Sequence, residues 1–179
     1  MIGRHPRGRL QNQAVRVALI ASLCSVAQSA AGSDDPPIAR VRSTDASLAA
    51  LIDRATAHSL TFQRLLASIE RSHGIVYVEA GSCGHGVRAC LKVWMETVGP
   101  NRFLRIAIDR RKKAPDAEVM GLIGHELQHA VEALSESGVT DSVSLYNFFR
   151  RLAPTDSGRF ETAPALHAGD DVENELRAH

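Results

Sequence analysis

The chain has 179 residues, of which 44% are hydrophobic and 23% charged, so it suits one globular domain and is too apolar for a wholly disordered protein. Only 4% are aromatic, which leaves Leu, Ile, Val and Ala to build most of the core. The formal net charge is +1, but Arg4, Arg7, Arg9 and Arg16 all precede the first acidic residue, Asp34. The rest of the chain is therefore mildly acidic, which argues against nucleic-acid binding.

The first 31 residues have the pattern of a signal peptide. A basic stretch up to Arg16 precedes an apolar run over residues 17–27, and Ala27, Ser29 and Ala31 offer small-x-small cleavage sites. The apolar run is shorter than the ~20 residues that a membrane-spanning helix needs. We therefore predict export to the periplasm or the extracellular space, with residues 1–31 removed and no stable membrane span afterwards. An uncleaved anchor or a disordered tail is the alternative.

Residues 32–43 contain the run Asp34-Asp35-Pro36-Pro37 without any periodic pattern, which is typical of a polar linker. The folded domain is therefore predicted to cover residues 44–179, and it contains no internal repeat. Apolar residues at helical spacing predict two consecutive helices, centred on residues 48–55 and 62–69. Ser59 or Thr61 is the predicted N-cap of the second helix, and Gly74 its predicted end.

Three β-branched or alternating runs then predict strands at residues 75–78, 91–95 and 103–109. A long helix is predicted to open at Pro115 and to end at Gly138. Two more helices are predicted, one over residues 141–152 and one from Glu161 or Thr162 to Arg177.

The cysteines support the prediction of export. Removal of the signal peptide would take away Cys24 and leave Cys83 and Cys90. An even pair at short spacing in an exported chain predicts a disulfide. The alternative is a metal site formed by Cys83, His85 and Cys90, although that spacing matches no common zinc pattern.

The long helix contains the motif His125-Glu126-Leu127-Gln128-His129. Residues four apart lie on one face of a helix, so both imidazoles could bind one Zn²⁺ ion. Glu126 directly follows the first histidine and could accept a proton from a water whose pKa the zinc lowers. The motif predicts a zinc-dependent hydrolase of peptide bonds in which Glu126 is the general base.

The run Gly124-His125-Glu126-Leu127-Gln128-His129-Ala130 resembles the active helix of the zincin metallopeptidases. The resemblance implies an α+β fold, in which a short twisted sheet packs on the active-site helix and further helices lie below. It also implies a protein or peptide substrate that pairs in extended form with an edge strand. Residues 103–109 are the candidate edge strand, because they precede the active helix directly.

The third zinc ligand decides the branch of that superfamily. In the metzincin pattern Gly and His follow the second histidine at positions that Glu132 and Ser135 occupy here, so that branch is excluded. The gluzincin branch uses a glutamate from a following helix, and Glu161 is our choice because it follows a loop and Phe160 can anchor it. Pro164 is a departure from that pattern, because it restricts Ala163 and so favours a position of Glu161 just outside the helix and not on it. The remaining candidates are Glu132, Glu136, His167, Asp170 and Asp171.

Gly121 and Gly124 lie within the predicted long helix, where each glycine costs about 1 kcal/mol of stability against alanine. Close approach of the helix to a strand would explain their presence, and chance is the alternative.

Two other functions stay open: an exported zinc-binding module without catalytic activity, and a protein without metal in which the motif is accidental. The presence of Glu126 argues against the first, since a purely structural zinc site does not need it.

Overall fold

The computed structural model of the protein describes residues 39–84, 86–111, 113–152 and 160–178. The predicted signal peptide, residues 1–31, lies outside the described residues, as do residues 32–38 of the predicted linker. Strand β1 (Val41–Arg42) lies within the segment predicted as linker, so regular structure begins before residue 44. None of the described helices combines the length and the apolar character that a bilayer crossing requires.

Two helices follow β1, as predicted. The N-cap of helix α1 (Ala46–His58) is Asp45. The N-cap of helix α2 (Leu60–Arg71) is Ser59, whose hydroxyl oxygen accepts a hydrogen bond from the Phe62 amide at 3.0 Å. The cap predicted at Ser59 is confirmed. The predicted end at Gly74 is wrong, because α2 ends at Arg71 and Gly74 is the first residue of strand β2.

The sheet has four strands in the order β1-β2-β4-β3. Strands β2 (Gly74–Ala80), β3 (Ala89–Val98) and β4 (Asn101–Ile108) match the three predicted runs, although β2 and β3 are longer than predicted. Strand β2 pairs in parallel with β1 and β4. Strand β3 pairs antiparallel with β4, and the turn between them uses Gly99 at a φ of 58°.

Residues 103–109 are not an edge strand, which corrects the prediction. Strand β4 lies between β2 and β3, and β3 is the edge beside the active helix. The prediction failed because β3 and β4 form a hairpin whose second arm also pairs with β2, and sequence proximity to the helix does not reveal that order.

The fold is α+β, with the sheet packed against helices that follow and precede it. Val76, Val78, Leu104 and Ile106 point to the helices and are fully buried, whereas alternate residues such as Tyr77 lie on the other, partly exposed face. The remaining helices are α3 (Asp116–Ser135), α4 (Ser142–Leu152) and α5 (Ala163–Arg177). Helix α3 lies at the centre and contacts both the sheet and α5.

The two glycines of α3 mark its contact with α5, not with a strand. A Cβ on Gly121 would lie 2.9 Å from the Gly169 carbonyl oxygen, and a Cβ on Gly124 would lie 2.8 Å from Val172 Cγ2. Close approach therefore explains both glycines, but the partner is a helix.

Candidate metal centre

The two histidines of the motif lie on one face of α3, as their spacing predicts. The ring centroids of His125 and His129 are 4.9 Å apart. His129 is only 4% exposed, and Phe149 of α4 packs against its ring with centroids 5.4 Å apart. The His129 imidazole is thus held by packing against Phe149.

Glu161 reaches the histidines from the segment that precedes α5. The N-cap of α5 is Thr162, so Glu161 lies just outside the helix, as the proline at position 164 suggested. Phe160 stacks on Phe149 with centroids 5.8 Å apart, which fixes the backbone beside Glu161. As a result, Glu161 Oε2 lies 3.3 Å from His125 Nε2.

One potential ligand atom from each of His125, His129 and Glu161 lies within 4.8 Å of the others, so this group could hold a metal ion. In the described part of the chain no other group of three such side chains converges. The rival ligands Glu136, His167, Asp170 and Asp171 are not members of the group.

Glu132, one of the candidate ligands, does not converge with His125, His129 and Glu161 but contacts the side of His129. Its Oε2 lies 3.1 Å from His129 Nδ1, and its Oε1 accepts the Thr162 hydroxyl at 2.7 Å. Burial alone would raise the pKa of Glu132, but the hydrogen bonds from His129 and Thr162 outweigh it and hold the pKa below its usual value. The carboxylate therefore lies behind His129. The sequence signal for this contact is the three-residue spacing between His129 and Glu132, which brings the two side chains together on one face of a helix.

Glu126 is buried, with 6% of its surface exposed. Its Oε2 accepts the backbone amide of Leu91 in β3 at 2.6 Å. Burial raises the pKa of Glu126 to about 7, although the nearby His129 and the Leu91 amide work in the opposite direction. The carboxyl group can therefore exist in both protonation states near neutral pH.

Burial lowers the pKa of His125, and the neighbouring His129 lowers it further, while Glu161 acts against both. A lowered pKa leaves the imidazole neutral near pH 7, which is the form that binds metal. Two imidazoles and one carboxylate match the donor set of catalytic zinc sites, which leave the fourth position open.

A pocket of about 280 Å³ opens beside this group. Glu126, His129, Glu161 and Lys92 are its titratable lining residues, and β3 contributes residues 89–93 along one side. The rest of the wall is mainly apolar and includes Val87, Leu145, Phe149 and Phe160.

The predicted disulfide is present between Cys83 and Cys90, which both line the pocket. It joins the loop after β2 to the start of β3, and it uses the two sulfur atoms of the alternative metal site; His85 lies outside the described residues. A disulfide is typical of exported proteins.

No family model, curated protein or solved structure matches this chain.

Proposed function

We propose that the chain is an exported, zinc-dependent metallopeptidase with a zincin-like active helix. The observation that supports it most is the convergence of His125, His129 and Glu161 at a pocket that the buried Glu126 also lines. A structural zinc site would be closed by a fourth protein ligand. The group found here has three ligands and an adjacent carboxylate, which is the pattern of a hydrolytic site.

A zinc ion bound there would supply Lewis-acid polarisation of the scissile carbonyl and a water molecule that ionises readily. Glu126 is the group of this chain that moves the proton. It takes the proton that the attacking water gives up and delivers it to the nitrogen of the leaving amine. The Leu91 amide, 2.6 Å from Glu126 Oε2, orients the carboxyl group for both steps.

The edge of β3 supports an extended peptide as the substrate. Within the described residues, β3 has a strand partner on one side only, β4. Its pairing is also irregular between Leu91 and Met95, a feature that is common beside active sites. The Leu91 and Met95 amides of β3 already donate to Glu126 and Ser142, so a peptide laid along this edge would pair with the main-chain groups that remain. The pocket next to β3 would take one of its side chains. Because the pocket wall is mainly apolar, we propose that this side chain is apolar.

The test is zinc analysis of the purified protein, followed by incubation with an unfolded polypeptide and mass spectrometry of the products. Wild type should bind one zinc and cleave the polypeptide. Glu126→Gln should bind zinc equally and leave the polypeptide intact, because an amide cannot accept the proton. Glu136→Gln is the matched control, since it makes the same change at an exposed residue just after α3 and should cleave like wild type.

Absence of zinc from wild type would contradict the metal site. A wild type that binds zinc without cleaving any peptide in a diverse pool would favour a zinc-binding module without catalytic activity. Cleavage by Glu126→Gln at the wild-type rate would remove Glu126 from the mechanism.

A further inference from the structure

We propose that Glu132 is a positioning residue that orients His129 and holds the segment of Glu161 against α3. This inference rests on the metal site proposed above and assigns a role to a residue that does not bind the ion. It follows from two contacts that converge on one largely buried carboxylate, whose side chain is 12% exposed.

The first contact fixes the imidazole of His129. An ionised carboxylate can only accept hydrogen bonds, so at 3.1 Å from Glu132 Oε2 the ring nitrogen Nδ1 has to carry the hydrogen. The other ring nitrogen, Nε2, is then left with a free lone pair. That is the nitrogen available to the metal, and outer-shell carboxylates select ligand tautomers in this way.

The second contact reaches across to the start of α5. Glu132 Oε1 accepts the Thr162 hydroxyl at 2.7 Å, and the Thr162 side chain also accepts the Ala165 amide at 3.2 Å. Thr162 is thus both the N-cap of α5 and the attachment point to α3. Because Glu161 is its immediate neighbour, the distance between the histidines and the third ligand depends on this hydrogen bond.

Each oxygen of Glu132 faces its own donor, Oε2 towards His129 and Oε1 towards Thr162, and Glu132 is not a member of the converging group of ligand atoms. The geometry explains why a glutamate one turn beyond His129 serves as support and not as a ligand.

The proposed role requires that one side chain accept two hydrogen bonds, one from His129 and one from Thr162. Glu132→Gln tests this requirement. A glutamine has nearly the same shape but offers one acceptor oxygen and one donor nitrogen. Its oxygen can accept from only one of His129 and Thr162, and its NH2 group then faces the other. The Thr162 hydroxyl can turn to accept from that NH2 group, but the Nδ1–H of His129 cannot, so the imidazole facing it must move its hydrogen to Nε2. We expect zinc affinity to fall by about 10–100-fold, which is typical of outer-shell changes. Glu136→Gln should bind zinc like wild type.

The experiment has two readouts on the full chain. Zinc affinity is measured by competition with a chelator for wild type, Glu132→Gln and Glu136→Gln, with circular dichroism to verify folding. The tautomer of His129 is measured in metal-free protein by long-range ¹H–¹⁵N correlation spectroscopy of the imidazoles. Wild type should show hydrogen on Nδ1 alone, and Glu132→Gln should show a mixture of tautomers.

The tautomer measurement separates this proposal from the proposed function. If wild type binds no zinc, the metal site fails, while the tautomer in metal-free protein still decides the role of Glu132. Hydrogen on Nε2 of His129 in wild type would overturn the proposal, even if Glu132→Gln does not fold. Equal zinc affinity and an unchanged tautomer in a folded Glu132→Gln would overturn it as well.

Discussion

The contact between α3 and α5 predicts that Gly121→Ala destabilises the protein, although alanine is the better helix former. A Cβ at position 121 would lie 2.9 Å from the Gly169 carbonyl oxygen and 2.9 Å from Glu173 Cβ. Ordinary contacts of this kind begin at 3.4 Å, so the two helices would have to separate by about 0.5 Å. The carbonyl belongs to the α5 backbone and cannot rotate away as a side chain could.

The magnitude follows from two opposing terms. Helix propensity favours alanine by about 1 kcal/mol. Overpacking at a tight interface costs about 1–3 kcal/mol. We therefore expect a net loss of about 1 kcal/mol in the free energy of unfolding, where propensity alone would give a gain of about the same size.

The assay is urea denaturation of the metal-free protein with its disulfide intact, since bound metal would add its own stabilisation. Gly138→Ala is the matched control, because a Cβ there meets nothing within 4 Å and its backbone has no positive φ. The control should be neutral or stabilised by about 0.4–1 kcal/mol. Stabilisation of Gly121→Ala to the same extent as Gly138→Ala would refute the close contact between the two helices.

Glu161→Ala should lower zinc affinity by more than the roughly 10–100-fold that is typical of outer-shell changes, and Glu161→Gln should do nearly the same because an amide is a poor zinc ligand. Competition with a chelator measures the affinity of both variants. Unchanged affinity would remove Glu161 from the site. The double variant Cys83→Ser, Cys90→Ser should lose about 2–3 kcal/mol of unfolding free energy in urea, since the bridge closes a short loop; equal stability would argue against the bridge in solution. Glu175 accepts hydrogen bonds from Ser59 and Thr61, which outweigh the effect of its partial burial and lower its pKa from 4.5. Its stabilisation is therefore complete above pH 4.5 and is lost as the pH falls through the folded-state pKa. Glu175→Gln should cost about 1 kcal/mol at neutral pH, and the difference from wild type should vanish in acid; a difference that persists in acid would contradict this reasoning.

The features that sequence reasoning predicted correctly depend on short segments. The periodicity of α3 and the spacing of His125 and His129 are set within one helix, so the local pattern determines them. The prediction of Glu161 depends on its neighbours in sequence, and the structure brings it to the histidines, with Phe160 stacked on Phe149 as the anchor.

The features that were missed depend on contacts between distant segments. Whether Glu132 faces the ion or the back of His129 depends on Thr162, 30 residues later. The edge position of β3 depends on which strands pair with β4, and the partner of Gly121 and Gly124 depends on where α5 packs. Composition and periodicity carry no information on such pairings.

Helix α5 is fastened to earlier parts of the chain at both ends, through Thr162 at its start and Glu175 at its end. A ribosome and an export channel deliver a protein from its amino end, so among the described residues α5 emerges after all its partners. Until α5 has emerged, the face of α3 that contains Gly121 and Gly124 lacks its partner helix, and His125 and His129 lack Glu161. The proposed metal site is therefore complete only once α5 has docked on α3.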